Sequence, residues 1–345
     1  MNPNYLKYTY FFYLLLLMVF ETKAQIGGNS SFTFLNIPSN PVTAALGGIN
    51  ISKTNKDPNG FLQNPALLDS SENILLAINY LPYFSGIKYT STTFVKQFHK
   101  QTFGLGVQYV GYGNFQQTDP AGNILGQFTA NDFAITLSHA RKQGNITFGM
   151  NLKLVGSVIE NYASSALLTD FGGVFKHPNH DISYGLVVKN FGIRLKNFTP
   201  FDSPDLPLDV QMGITFKPKY MPVRFSFTGH HLYKYDITYL DKSIIKKDLS
   251  GNIIETKVNP IDNIARHFVL GAELLLSKNF NILMGYNHLR SRELSQQNIG
   301  GFSGFSIGFL FKTKFIDISY SHAGYNTAGN LNSFGLVCDL RKFIQ

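Results

Sequence analysis

The fold class this sequence predicts is all-β: a transmembrane antiparallel β-barrel of about fourteen strands. Three observations carry that expectation. Short segments of apolar/polar alternation recur from about residue 72 to the end, an export signal opens the chain, and no apolar run is long enough for a membrane-spanning helix.

Residues 1–24 place Lys7 ahead of an apolar core from Tyr10 to Phe20 and close on Thr22-Lys23-Ala24 before Gln25. That is the layout of a cleavable secretory signal, with a core too short to cross a bilayer as a helix. No Cys follows the cleavage point, so lipidation of the new terminus is not expected.

Residues 25–71 form the next unit. From Gly27 to Asp69 no period is sustained, and Pro and Gly break any long helix. A semi-apolar stretch ahead of a wide barrel is expected to fold back into the lumen as a plug or hatch, since an empty lumen would leave a channel. The alternative is a loosely ordered leader.

Residues 72–345 are the barrel. At Asn145 to Leu154 the side chains of Ile146, Phe148, Met150, Leu152 and Leu154 share one face while Thr147, Gly149, Asn151 and Lys153 share the other. A period of two means a strand. The same pattern runs through Phe268 to Leu276 and through Phe225, Phe227, His231, Tyr233 and Tyr235. Strands are expected near 73–81, 86–98, 102–112, 131–141, 145–158, 165–176, 181–192, 207–217, 223–236, 265–276, 280–289, 302–312, 314–322 and 332–343. Most approach the roughly 9–11 residues that a tilted strand needs to span hydrocarbon.

The connections alternate. Those at His99 to Gln101, Arg141 to Gly144, His177 to His180, Pro218 to Pro222, Ser277 to Asn279 and Lys312 to Lys314 are short. Opposite them, Gly113 to Ala130, Ile193 to Leu206, Ile237 to Ile264, Arg290 to Gly301 and Ala323 to Leu331 are longer, the exception being the first, around Pro82 to Ser85. Outer-membrane barrels keep short turns in the periplasm and long loops outside, which would leave both termini periplasmic. Asp119 to Ile124 and Asp248 to Ile253 carry tight-turn signals, so both loops are expected to project as hairpins. Lys100, Arg141, Lys142, Lys176, Lys217, Lys219, Lys278, Lys312 and Lys314 enrich the short-turn rim; solubility and snorkelling to headgroups account for them more simply than docking of an acidic partner.

Composition agrees. Thirty-one Phe and 18 Tyr with only 15% charged residues suit sheet surfaces that meet hydrocarbon or a large core, and the absence of Trp leaves any interfacial girdle to Tyr and Phe. A mean hydropathy of −0.03 is ordinary for a soluble protein and is also what alternate exposure to lipid gives, so hydropathy does not decide. The formal charge of +9 is scattered without a basic cluster, which argues against nucleic acid. One cysteine, Cys338, excludes an internal disulfide and lies on an apolar face beside Leu336 and Leu340.

No enzyme chemistry is legible, and no catalytic, cofactor-binding or metal-binding residue is assigned. Gly301-Phe302-Ser303-Gly304 fails the nucleophile-elbow spacing. His230 and His231, read as neighbours on a strand, would point to opposite faces and could not share a metal; His177 and His180 flank a turn with only Asp181 near. Glu273 and Asp317 read as lumen partners for Lys and Arg.

Gly27-Gly28-Asn29-Ser30-Ser31-Phe32-Thr33-Phe34-Leu35, then Pro38, Ala44-Ala45-Leu46-Gly47-Gly48, Asn64-Pro65-Ala66-Leu67-Leu68, Asn79-Tyr80 and Gly86-Ile87-Lys88-Tyr89 resemble the PorQ family of type IX secretion proteins. The extended Phe-x-Phe-Leu-x-x-Pro lead-in tilts the resemblance to PorQ over PorV and other FadL-like barrels. These motifs cover the first quarter of the chain. The resemblance implies a FadL-like barrel in the outer membrane of a Bacteroidota-type bacterium. It further implies an anchor in a surface attachment complex, holding a PorZ-like surface protein near a PorU-like sortase and a PorV-like barrel while cargo is processed and joined to lipopolysaccharide. The other functional reading is a FadL-like transporter of hydrophobic compounds, which requires an apolar pocket and a lateral opening in the wall. An enzyme is a distant third.

Overall fold

The structure, a computed structural model, describes residues 30–68, 74–99, 101–200, 204–238, 259–293, 302–326 and 329–344. The expected signal sequence, Asp248 to Ile253 and Gly301 lie outside the described residues.

Alternation along the chain becomes fourteen strands: β1 (Ile74–Pro82), β2 (Lys88–Phe98), β3 (Gln101–Thr118), β4 (Ile124–Gln143), β5 (Ile146–Ile159), β6 (Tyr162–Lys176), β7 (Ile182–Lys196), β8 (Asp209–Phe216), β9 (Val223–Gly229), β10 (Phe268–Leu275), β11 (Phe280–Asn287), β12 (Phe305–Lys312), β13 (Ile316–Asn326) and β14 (Gly329–Asp339). Each pairs antiparallel with its neighbours in sequence, and β1 closes on β14, with Leu76 opposite Cys338. A closed meander leaves no unpaired edge, which a lipid environment demands.

Which face is which follows from burial. On β5, Phe148, Met150, Leu152 and Leu154 point outward and are exposed, whereas Asn151 and Lys153 point inward and are buried. Across the barrel the buried inward residues include Asn79, Ser91, Asp170, Ser183, Gln211, Thr215, Glu273, Ser306 and Ser321. A sheet that hides polar groups and exposes Phe, Leu and Ile is inside-out for water and correct for hydrocarbon.

Residues 30–68 occupy the lumen. Ser30 bridges to Asp205 at the long-loop rim, so the segment enters there and descends to β1 at the short-turn rim. Counting connections would place both chain ends on the short-turn side; β14 does end there, but the first described residue is at the opposite rim. Apolar contacts follow the descent. Phe32, Phe34 and Leu35 pack near Leu81, Tyr89 and Leu331; Val42, Ala45 and Leu46 meet Leu283 and Leu310; Phe61 and Leu62 meet Leu75 and Val95.

Two Asn-Pro pairs shape this segment. Asn40 caps helix α1 (Pro41–Ala45) by accepting the Thr43 N–H at 2.9 Å, and Asn64 accepts the Ala66 N–H at 3.0 Å, each with Pro at the first helical position. Polar wall residues bond several of its backbone carbonyls. Ser306 donates to the Ala45 carbonyl at 2.9 Å, Asn287 to Gly47 at 3.1 Å, Ser183 to Ser52 at 2.6 Å and Asn151 to Phe61 at 2.9 Å. Glycines let the wall come this close: a Cβ on Gly285 would overlap the Gly47 amide and the Leu46 carbonyl carbon, and one on Gly149 would overlap Pro65.

Some expectations need correction. Strand β9 ends at Gly229 rather than continuing to 236, because His231 takes a left-handed conformation (φ 54°) whose N–H donates to Asp209 Oδ1 at 2.6 Å. Gly113 to Ala130 is largely strand: β3 and β4 zip upward to Thr118 and Ile124, and Asp119 closes the tip by accepting from Ala121 and Asn123. That hairpin was expected. Ala323 to Leu331 is likewise mostly paired strand. The long connections on that rim whose described residues are not paired into the barrel are therefore those after β7, β9 and β11.

Candidate functional site

Register builds one wall feature that no linear motif announces. Ser226, Gly271, Gly285, Ser306 and Ala323 lie side by side across β9 to β13. On the inner side Leu46 and Gly47 press directly on Gly271 and Gly285. On the outer side the same stretch carries an apolar groove of about 1090 Å³, running toward the long-loop rim at Phe302 and Asn330. Phe227, Leu270, Met284, Phe305 and Ile307 line it and are all exposed. Aromatic pairs stiffen its sides: Phe227 stacks on Phe268 at 4.7 Å between ring centroids, and Tyr286 lies 4.7 Å from Phe305.

The lumen itself is polar and ion-paired. Glu273 lies between Lys53 of the luminal segment (3.2 Å) and Arg224 of the wall (2.8 Å). Asp170 accepts from Lys153 at 2.7 Å and from the Asn190 N–H at 2.8 Å. Glu273 thus has the partners expected of it, whereas Asp317 has no ion pair within 4.0 Å among the described residues.

At the long-loop end a second cavity, about 340 Å³, is lined by Lys189, Asp209, Gln211, His230, His231, Arg290 and Glu293 together with Leu35 and Ile37. The turn at His231 swings the two adjacent imidazoles together, with Nδ1 to Nδ1 at 2.5 Å. Opposite faces, the geometry expected for a strand, are not what these residues adopt. Burial pushes His230 well below the ordinary histidine range, and burial lowers His231 against the opposing pull of Asp209. Above this cavity helices α2 (Pro260–Arg266) and α3 (His288–Glu293) are clamped through Asp262, which meets Arg266, His288 and Arg292 at 2.8–2.9 Å. Partial burial would raise the Asp262 carboxyl, but the His288 hydrogen bond and the two guanidiniums hold it down at about 2.

His177 and His180 do flank the β6–β7 turn, their rings 4.6 Å apart, and His177 Nδ1 accepts the Asn179 and His180 amides. Cys338 is a half-buried free thiol on β14. Sequence reading missed Asp209, Gln211 and Lys189, which are ordinary inward-facing polar residues until the fold brings them to the histidines.

A closed barrel, polar within and apolar without, whose lumen holds an N-terminal segment, defines an outer-membrane β-barrel. Solved structures narrow the class. A CymD monoaromatic hydrocarbon channel superimposes with a TM-score of 0.54 at 11% identity, covering 88% of this chain and 98% of that one. A Pseudomonas aeruginosa FadL homologue gives 0.51 at 10% identity, covering 87% and 98%. The chain therefore has the fold of FadL-type outer-membrane barrels. No protein-family profile matches it, and no curated protein matches it in sequence.

Proposed function

We propose that this barrel is a FadL-like transporter that passes hydrophobic small molecules laterally from the long-loop side into the bilayer. The groove over β9 to β12 is the observation that carries the reading, and its shared fold with a monoaromatic hydrocarbon channel supports it. On this reading residues 30–68 act as a plug, the long-loop rim is extracellular, and the chain performs no covalent chemistry.

Energetics favour transfer over storage. Taking roughly 150 Å² of aromatic surface out of water is worth about 4 kcal/mol. Hydrocarbon tails offer nearly the same gain, so a molecule captured at Phe302 and Phe305 moves on into lipid at little cost. Proteoliposome uptake of toluene tests this. Met284→Trp, which fills the groove, should slow uptake severalfold, while Leu152→Trp on the far wall should not; equal rates would refute the lateral route.

A second reading has its own support. The ion-paired lumen and the PorQ-like N-terminal motifs favour an anchor of the type IX attachment complex, holding a PorZ-like protein beside PorU-like and PorV-like partners. Deleting Asp241 to Asn259 would then leave the barrel inserted and weaken recovery of the surface partner.

A further inference from the structure

We infer that Asp209, His230 and His231 form a binding site for a divalent transition-metal ion of the zinc class at the long-loop end of the lumen. Their donor atoms, two imidazole nitrogens and a carboxylate oxygen, all lie within 4.8 Å of one another. Two nitrogens and one oxygen suit zinc, whereas calcium and magnesium require oxygen-rich shells that one carboxylate does not supply.

The local fold builds this convergence, and the two Nδ1 atoms share a hydrogen bond across it. Adjacent residues on a strand diverge; here the left-handed His231 backbone turns both rings inward. Such a conformation is strained for a non-glycine residue, and the surroundings must hold it. Asp209 does so through the His231 N–H, while its other oxygen accepts from Gln211 Nε2 at 2.6 Å, the kind of outer contact that orients a metal ligand. His267 faces the carbonyls of His230 at 2.9 Å and Tyr235 at 3.1 Å, fixing the turn from the other side and leaving neither of its nitrogens for an ion.

An independent observation points to a ligand. His230 is 1% exposed, yet among the described residues its Nε2 has no hydrogen-bond partner, and neither does Oε1 of Gln211 in the same cavity. A buried imidazole with an unused nitrogen is costly unless something else occupies the site. The remaining coordination position would open to the cavity and hold water. Lys189 and Arg290 also line that cavity and oppose a cation, which Asp209 and Glu293 offset; the site should therefore bind zinc reversibly rather than as a permanent structural ion. Bound metal would staple the start of β8 to the end of β9, stiffening the rim from which the long connection to β10 departs.

Titration of the purified full-length barrel in detergent, stripped with chelator, tests the assignment with ZnCl2 by calorimetry and CoCl2 by visible absorption. One saturable site with the spectrum of nitrogen- and oxygen-bound cobalt is expected. His231→Gln and Asp209→Asn should each weaken binding by at least about tenfold, and a His177→Gln/His180→Gln double variant should bind as the parent does. Folding of every variant is checked by its heat-dependent gel migration. No saturable binding by the parent, or undiminished binding by folded His231→Gln and Asp209→Asn proteins, would overturn the site; loss confined to the His177/His180 variant would move it to the opposite rim.

Discussion

Gly172 and Gly173 are adjacent on β6 and face opposite ways, which makes them a matched test of how the luminal segment is seated. A Cβ on Gly172 would overlap Asn64 Oδ1 and press on Pro65, whereas a Cβ on Gly173 would find Phe148 Cδ1 at 4.0 Å and nothing closer. Asn64 is fully buried, donates to the Ile51 carbonyl at 3.0 Å and accepts the Ala66 amide at 3.0 Å. Losing those two bonds costs about 2 kcal/mol and overpacking adds roughly 1–3, so Gly172→Ala should destabilise by roughly 3–5 kcal/mol. Gly173→Ala removes only chain entropy from the unfolded state and should be neutral or stabilising by up to about 1 kcal/mol. Denaturant unfolding in lipid vesicles reads the difference, and protease access to residues 30–68 shows whether the segment or the whole barrel yields. Indistinguishable midpoints for the two variants would refute the seating of Asn64 against β6.

Two further consequences concern charge. Glu273→Gln leaves Lys53, only 7% exposed, without its ion-pair partner and should cost roughly 3–5 kcal/mol in the same unfolding assay, while the apolar double variant Lys53→Met/Glu273→Leu should recover much of that loss. The Asp262 carboxyl lies below its ordinary value, so its contribution to the α2–α3 clamp is complete above pH about 4 and fades as pH falls through about 2. Proteolysis of that rim followed against pH should show it opening in this window; Asp262→Asn should be open throughout, and a pH-independent parent would contradict the clamp.

Strands were legible because a period of two survives in any sheet with one apolar face: Ile146 to Leu154 announces β5 without its neighbours. Their number and order followed from counting. The termination of β9 was not legible, since Phe225 to Tyr235 continues the alternation and only the Asp209 side chain, brought across from β8, diverts it. For the same reason the two histidines could not be placed correctly from their spacing. Groove and glycine seats were hidden differently. Gly271, Gly285 and Ser306 are unremarkable in their own strands and become a surface only once register aligns them, and their contact with Leu46 and Gly47 spans more than two hundred residues. Ser30 at the long-loop rim was invisible to loop counting, which tracks strands and says nothing of the path within the lumen.

The most direct test of the transport reading is mild-detergent purification of the tagged barrel from its native outer membrane, followed by native mass spectrometry and extraction of bound small molecules. A barrel carrying hydrophobic compounds, with no surface protein in fixed ratio, is the predicted result. An empty groove on a barrel that co-purifies stoichiometrically with large surface proteins would contradict it and make the anchor reading the account of this protein.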